Sequence, residues 1–252
     1  MNIMEDKLDI LYYFITGFIV GGIGTLIGGL ISAVIHNPSD RTVAWMLSFA
    51  AGVMLSIISF DLMPEAYEIG GFFIVTLGLS IGLIIVFAAE KIIPSQKLNR
   101  YKGKKLSYIK MSLIIMISMS IHNFPEGIAI GSSAVYSKNL GLKIAILIAV
   151  HDIPEGLSVG MPLIMAGASP RSAVLLTLLT GLPTAFGAVF GSILGGVSKY
   201  FIACCLSSAA SCMLYVSSSE LIPEANSIHN GKSTSVFLLI GFICGCFLSF
   251  AV

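Results

Sequence analysis

The sequence predicts an all-α, polytopic membrane protein with eight transmembrane helices in a 3+2+3 inverted-repeat arrangement. Composition is the first observation behind this. Of 252 residues, 56% are hydrophobic and only 11% charged, and mean hydropathy is +0.95; soluble domains do not carry that balance. Length is the second. A spanning helix needs about 20 apolar residues, and eight such runs occupy most of the chain as one transmembrane domain, 1–252, with no room for a soluble one. Repetition is the third. Ser48–Ala66 aligns without gaps on Ser207–Ala225 with ten identities in nineteen positions.

The first run covers about Leu8–Ile35 and carries Gly17, Gly21, Gly24, Gly28 and Gly29, a small-residue face suited to close helix contact. The acidic N-terminus before it lacks the basic region of a signal peptide, so this run is expected to be retained. The second run, about Val43–Ala66, ends in Asp61-Leu-Met-Pro-Glu65-Ala, and the third covers about Gly71–Ile93, so the first three fill about 8–93. A basic stretch, 94–107, follows. The fourth and fifth runs lie within about 108–166. The last three fill about 171–252: Ser172–Gly196, Tyr200–Leu221 and Ser233–Val252. Five cysteines (Cys204, Cys205, Cys212, Cys244, Cys246) lie inside apolar runs and read as small packing residues rather than as disulfides or thiolate ligands. A net charge of +1 gives no footprint for nucleic acid.

The fourth and fifth runs hold the chemistry. His122-Asn-Phe-Pro-Glu126-Gly and His151-Asp-Ile-Pro-Glu155-Gly lie 29 residues apart, each in the middle of a membrane-length apolar run. Ionisable groups at that depth are costly and mark ion or proton paths. Residues i and i+4 lie about 40° apart around a helix, so His122 shares a face with Glu126 and His151 with Glu155, flanked by Asn123 and Asp152. Two such helices side by side offer imidazole, carboxylate and amide oxygen to one point. That set suits zinc, iron(II), manganese or cobalt. Pro125 and Pro154 cannot donate to the carbonyls of Ile121 and Val150, which predicts kinked, discontinuous helices at the site.

Lysine and arginine bias sets orientation. With 94–107 cytoplasmic, ten basic residues face inward and four (Lys7, Lys138, Lys143, Lys199) outward, and an even helix count puts both termini outside. The second run then points outward and the seventh inward, so the repeats are inverted. Gly24, Gly28 and Gly29 of the first run also resemble Gly191, Gly195 and Gly196 of the sixth. The aligned acidic pairs Asp61/Glu65 and Glu220/Glu224 fall at opposite mouths, where they read as the entrance and exit of an ion path or as interfacial caps. His36 and His229 read as solvated loop residues.

The paired hexamers and the 3+2+3 pattern resemble the ZIP (Zrt/Irt-like) metal transporters across the whole chain, and within them the prokaryotic zinc-transporter and GufA-like branch. The resemblance implies a homodimer in the cell membrane that brings divalent transition metal into the cytoplasm: Zn(II), with Fe(II), Mn(II), Co(II) and Cd(II) as further substrates. The metal is cargo, and no resident cofactor is expected. The resemblance also implies that His122, Glu126, His151 and Glu155 hold one metal, and that Asn123, Asp152 and the two glutamates hold a neighbouring one. Many members carry a glutamate on the sixth helix where this chain has Thr184, which bears on the second position. A metal-selective channel and an intramembrane metal-dependent hydrolase are the alternatives; the chain has no H-E-x-x-H motif.

Overall fold

The computed structural model describes residues 3–35, 38–92, 104–194 and 198–251. Its elements are α1 (Ile3–Val34), α2 (Asp40–Ile57), a π turn (Ile58–Leu62), α3 (Met63–Ile92), α4 (Lys104–Tyr136), α5 (Lys138–Met165), α6 (Pro170–Leu179), α7 (Leu182–Leu194), α8 (Lys199–Val216), a second π turn (Ser217–Leu221), α9 (Ile222–Ile228) and α10 (Lys232–Ala251). No strand occurs among the described residues. His36 and most of the basic stretch, 94–103, lie outside them. Lys104–Ser107, read from sequence as the end of that stretch, are already the first turn of α4.

Seven helical stretches among the described residues are long and apolar enough to cross a membrane. One of them, Asp40–Ala89, has 50 residues. At 1.5 Å per residue it would measure about 75 Å, more than twice a hydrocarbon core of about 30 Å. It does not run straight. Gly71 has φ 69° and ψ 179°, a conformation open essentially to glycine alone, and the chain bends there. Both π turns end two residues before a proline, Pro64 and Pro223. A residue without an N–H cannot close the usual ladder, and one extra residue per turn accommodates it. The two turns are aligned by the repeat, 159 positions apart.

The sixth run is broken. Thr180 and Gly181 separate α6 from α7, because Gly181 is a poor helix former and Pro183 cannot donate to Leu179. By contrast α4 and α5 stay continuous through Pro125 and Pro154. The predicted discontinuity therefore lies on the sixth run instead, since a lone proline removes one hydrogen bond while the neighbouring turns hold the helix together.

Helix pairing rests on glycines where backbones nearly touch. A Cβ on Gly28 of α1 would sit 2.2 Å from Ile153 O on α5, and one on Gly187 of α7 would sit 2.2 Å from Phe124 O on α4. Gly156 abuts Thr25 O, as Gly127 abuts Thr184 O. Gly82 of α3 abuts Ser208 O on α8, and Gly241 of α10 abuts Phe49 O on α2. Each contact maps onto its twin by one rule: add 159 between the outer sets of three runs, and exchange α4 and α5 at a shift of 29. This corrects the glycine alignment read from sequence. Gly28 is the counterpart of Gly187, not of Gly195, which lies outside the described residues; matching glycine letters alone had slid the register by eight.

These contacts predict that Gly28→Ala weakens the protein. The added methyl meets backbone at Ile153, Gly156 and Leu157, which cannot rotate away, and overpacking of this kind costs about 1–3 kcal/mol. Gly22→Ala meets only the flexible end of Leu178 and should be tolerated. Thermal unfolding in detergent checks the contrast; equal midpoints would mean the close approach is not what holds α1 on α5.

Candidate metal centre

The two hexamers meet at the middle of α4 and α5. These helices are joined through Ser137 alone, in extended conformation, and run antiparallel. Each histidine reaches the glutamate of the other helix rather than its own: His122 Nε2 lies 2.9 Å from Glu155 Oε1, and His151 Nε2 lies 3.2 Å from Glu126 Oε1. Shared faces at i and i+4 bring these four side chains to one level, and the antiparallel pairing crosses them.

His122, Asn123, Glu126, His151 and Asp152 are 0% exposed and Glu155 is 1% exposed. Two groups of potential ligand atoms lie within 4.8 Å of one another: His122, Glu126 and Glu155, and next to them Glu126, His151 and Asp152. Glu126 belongs to both. His151 lies 3.7 Å from Asp152 as well as 3.2 Å from Glu126. Asn123 donates from Nδ2 to Thr180 O at 2.8 Å, so the helix break supplies its amide with a partner and leaves Asn123 Oδ1 buried without one.

Satisfaction of polar atoms is incomplete here. Glu126 Oε2, Glu155 Oε2, both carboxylate oxygens of Asp152, His151 Nδ1 and Thr184 Oγ1 are buried with no hydrogen-bond partner. Buried polar atoms are normally paired, and an unpaired cluster calls for an explanation such as an ion. Three carboxylates and two imidazoles with lone pairs to spare suit a borderline divalent cation. Thr184 is fully buried on α7, and its counterpart under the repeat is Thr25, also buried, whose hydroxyl donates to Gly21 O at 2.9 Å.

The acidic pairs lie on either side of this cluster, and all four of their residues are half-buried. Ser118, one turn before His122, donates to Glu220 Oε1 at 2.9 Å. Glu65 pairs with Lys143, two turns before His151 on the antiparallel helix. Lys143 lies two residues beyond Gly141, which abuts Ala134 of α4; sixteen residues separate Ser118 from Ala134, about 24 Å of helix rise. Asp61 accepts from Ser249 and lines a small cavity with Ile57, Leu147, Val150 and Leu248. Sequence reasoning did not identify Thr180, Ser118, Lys143 or Ser249 as partners of these groups. The glycine–proline pair after Thr180 was the only local signal of the break. His229 caps the C-terminal end of α9 and accepts from Thr234 through its carbonyl.

A family model described as ZIP Zinc transporter matches residues 95–252. Among curated relatives, the zinc transporter ZupT of Enterobacter sp. (strain 638) is 34% identical over 236 residues, covering 90% of each chain. The zinc transporters ZupT of Salmonella arizonae and Salmonella heidelberg are 33% and 34% identical over 237 residues, again covering 90% of each chain.

The shared position of Glu126 predicts that Glu126→Ala abolishes both metal positions. Metal affinity should fall by more than about 100-fold, the upper range for losing even an outer partner of a ligand, while His122→Ala should leave one position. Zinc stoichiometry of the purified variants by elemental analysis and calorimetry checks this. Wild-type stoichiometry in Glu126→Ala would remove the residue from the site.

Proposed function

We propose, for a chain that belongs to the ZIP zinc transporter family, that it carries Zn(II) into the cytoplasm through the buried cluster on α4 and α5, with Fe(II), Mn(II), Co(II) and Cd(II) as further substrates. Divalent metal ion transport across a membrane is the function of this family member, and the chain is not an enzyme. One observation supports the cluster as the site: two adjacent triads of buried ligands share Glu126 and keep lone pairs unpartnered. On this reading His122, Asn123, Glu126, His151, Asp152 and Glu155 hold the ion. A ligand common to both positions lets an ion shift from one triad to the other without being released.

The same reading gives the remaining roles. Asp61 and Glu65 form the outer mouth of the path and Glu220 and Glu224 the inner one. Asp40–Ala89 crosses the cell membrane twice, turning at Gly71, which makes eight passes in a 3+2+3 inverted repeat with both termini outside and 94–107 cytoplasmic. Helix contacts that survive exchange of the two halves are what alternating access needs, because each half can take up the other's arrangement. That favours a carrier over a channel, as does a cluster rich in carboxylate and imidazole, since a conducting pore must hold its ion loosely. The protein works as a homodimer, as the family resemblance implies.

Zinc flux into proteoliposomes tests the proposal. Saturation at micromolar zinc, strong temperature dependence, and loss of flux in Glu126→Ala and Glu155→Ala at matched abundance are expected. Non-saturating flux would indicate a channel, and wild-type flux in either variant would overturn the site assignment.

Topology is tested separately, on protein whose five native cysteines have been replaced. Single cysteines at positions 61 and 220 should react with an impermeant thiol reagent from opposite sides. Labelling of both from one side would break the inverted arrangement.

A further inference from the structure

We infer that Lys143 is a tethered competitor for the metal ion at Glu65, and so sets the apparent affinity of the outer mouth. The inference rests on the reading of Asp61 and Glu65 as that mouth.

Lys143 Nζ is paired with Glu65 Oε2 across the interface between the end of the second run and the start of α5. The glutamate side chain is only 11% exposed, whereas the lysine side chain is 55% exposed. With its ammonium this open to solvent the pair contributes little to folding, and an ammonium on a flexible four-carbon stem releases its partner easily. Glu65 sits one helical turn beyond Asp61, so the two carboxylates face the same way. Asp61 is held by Ser249; Glu65 is held by the cation. An arriving divalent ion must replace the ammonium to use both carboxylates.

Position along α5 ties this pair to the cluster. Lys143, Leu147, Val150 and His151 fall at i, i+4, i+7 and i+8, one stripe of the helix. Leu147 and Val150 line the cavity that also contains Asp61, and His151 reaches Glu126 in the cluster. One face of one helix therefore runs from the lysine, past Asp61, to the metal ligands.

The repeat places no lysine at the related position of α4. Glu65 has its twin in Glu224, and the exchange of α4 with α5 places Ile114 where Lys143 would have its twin. A cation that competes at the outer carboxylate from position 143, where the related helix carries Ile114, distinguishes the two halves in a way that twofold-related halves alone would not.

Initial-rate zinc uptake by cells expressing each variant at matched membrane abundance tests the inference. Lys143→Gln should lower KM for Zn(II) by about two- to fivefold, the range expected for releasing a solvent-exposed ion pair, and Lys143→Arg should restore the wild-type value. Glu65→Gln should raise KM, and Lys143→Gln in that background should change nothing further. A KM unchanged or raised by Lys143→Gln, while Glu65→Gln raises it, overturns the competitor role and leaves the mouth standing. An equal fall in KM with or without Glu65 also overturns it, since the lysine would then act through its general field. A Glu65→Gln variant with wild-type KM instead overturns the reading of the mouth itself.

Discussion

The architecture depends on bringing three carboxylates and two imidazoles together where all of them are fully buried. Charged groups in that setting are costly unless paired. The antiparallel crossing of α4 and α5 gives each histidine the other helix's glutamate, and this offsets part of the cost. What the protein leaves unpaired is as informative. Asp152 keeps both oxygens free of hydrogen bonds, and Glu126 and Glu155 each keep one. A cluster designed only to join two helices would have closed those valences. Open valences of this kind are what the proposed exchange of an ion requires.

Such a centre tolerates little slack, and glycine removes it. Gly28 and Gly156 bring α1 onto α5 at backbone contact, and Gly127 and Gly187 do the same for α4 and α7. The hexamers are thereby clamped from both sides by outer helices related by the repeat. Small residues at helix contacts allow dispersion and close dipole packing where lipid offers no hydrophobic drive. The glycine ending each hexamer therefore has a structural role distinct from that of the polar residues before it: it fixes their depth against the flanking helix.

Departures from the repeat carry the differences between the two sides. The sixth run breaks at Thr180 and Gly181, whereas α1 is continuous through the corresponding Gly21 and Gly22. The break frees a carbonyl, which Asn123 takes. Its repeat counterpart on α5 is Asp152, which takes no such partner. One hexamer therefore presents an anchored amide and the other an open carboxylate. Lys143 on α5 and Ile114 at the related place on α4 are a second departure.

Much of this was written along the chain in local code. Apolar run lengths gave the helices, i, i+4 spacing put each His and Glu on one face, and the near-identity of Ser48–Ala66 and Ser207–Ala225 exposed the repeat. These are legible because helix period and hydropathy are properties of short segments. The tertiary structure decided what depends on distant neighbours. It chose which histidine faces which glutamate, moved the helix break from the prolines of α4 and α5 to Gly181, and set the register of α1 against α7 at 159. It also bound Glu65 to a lysine 78 residues away. No local pattern encodes such pairings, because they follow from backbones approaching within contact distance, and that approach is settled only when all the helices are packed together.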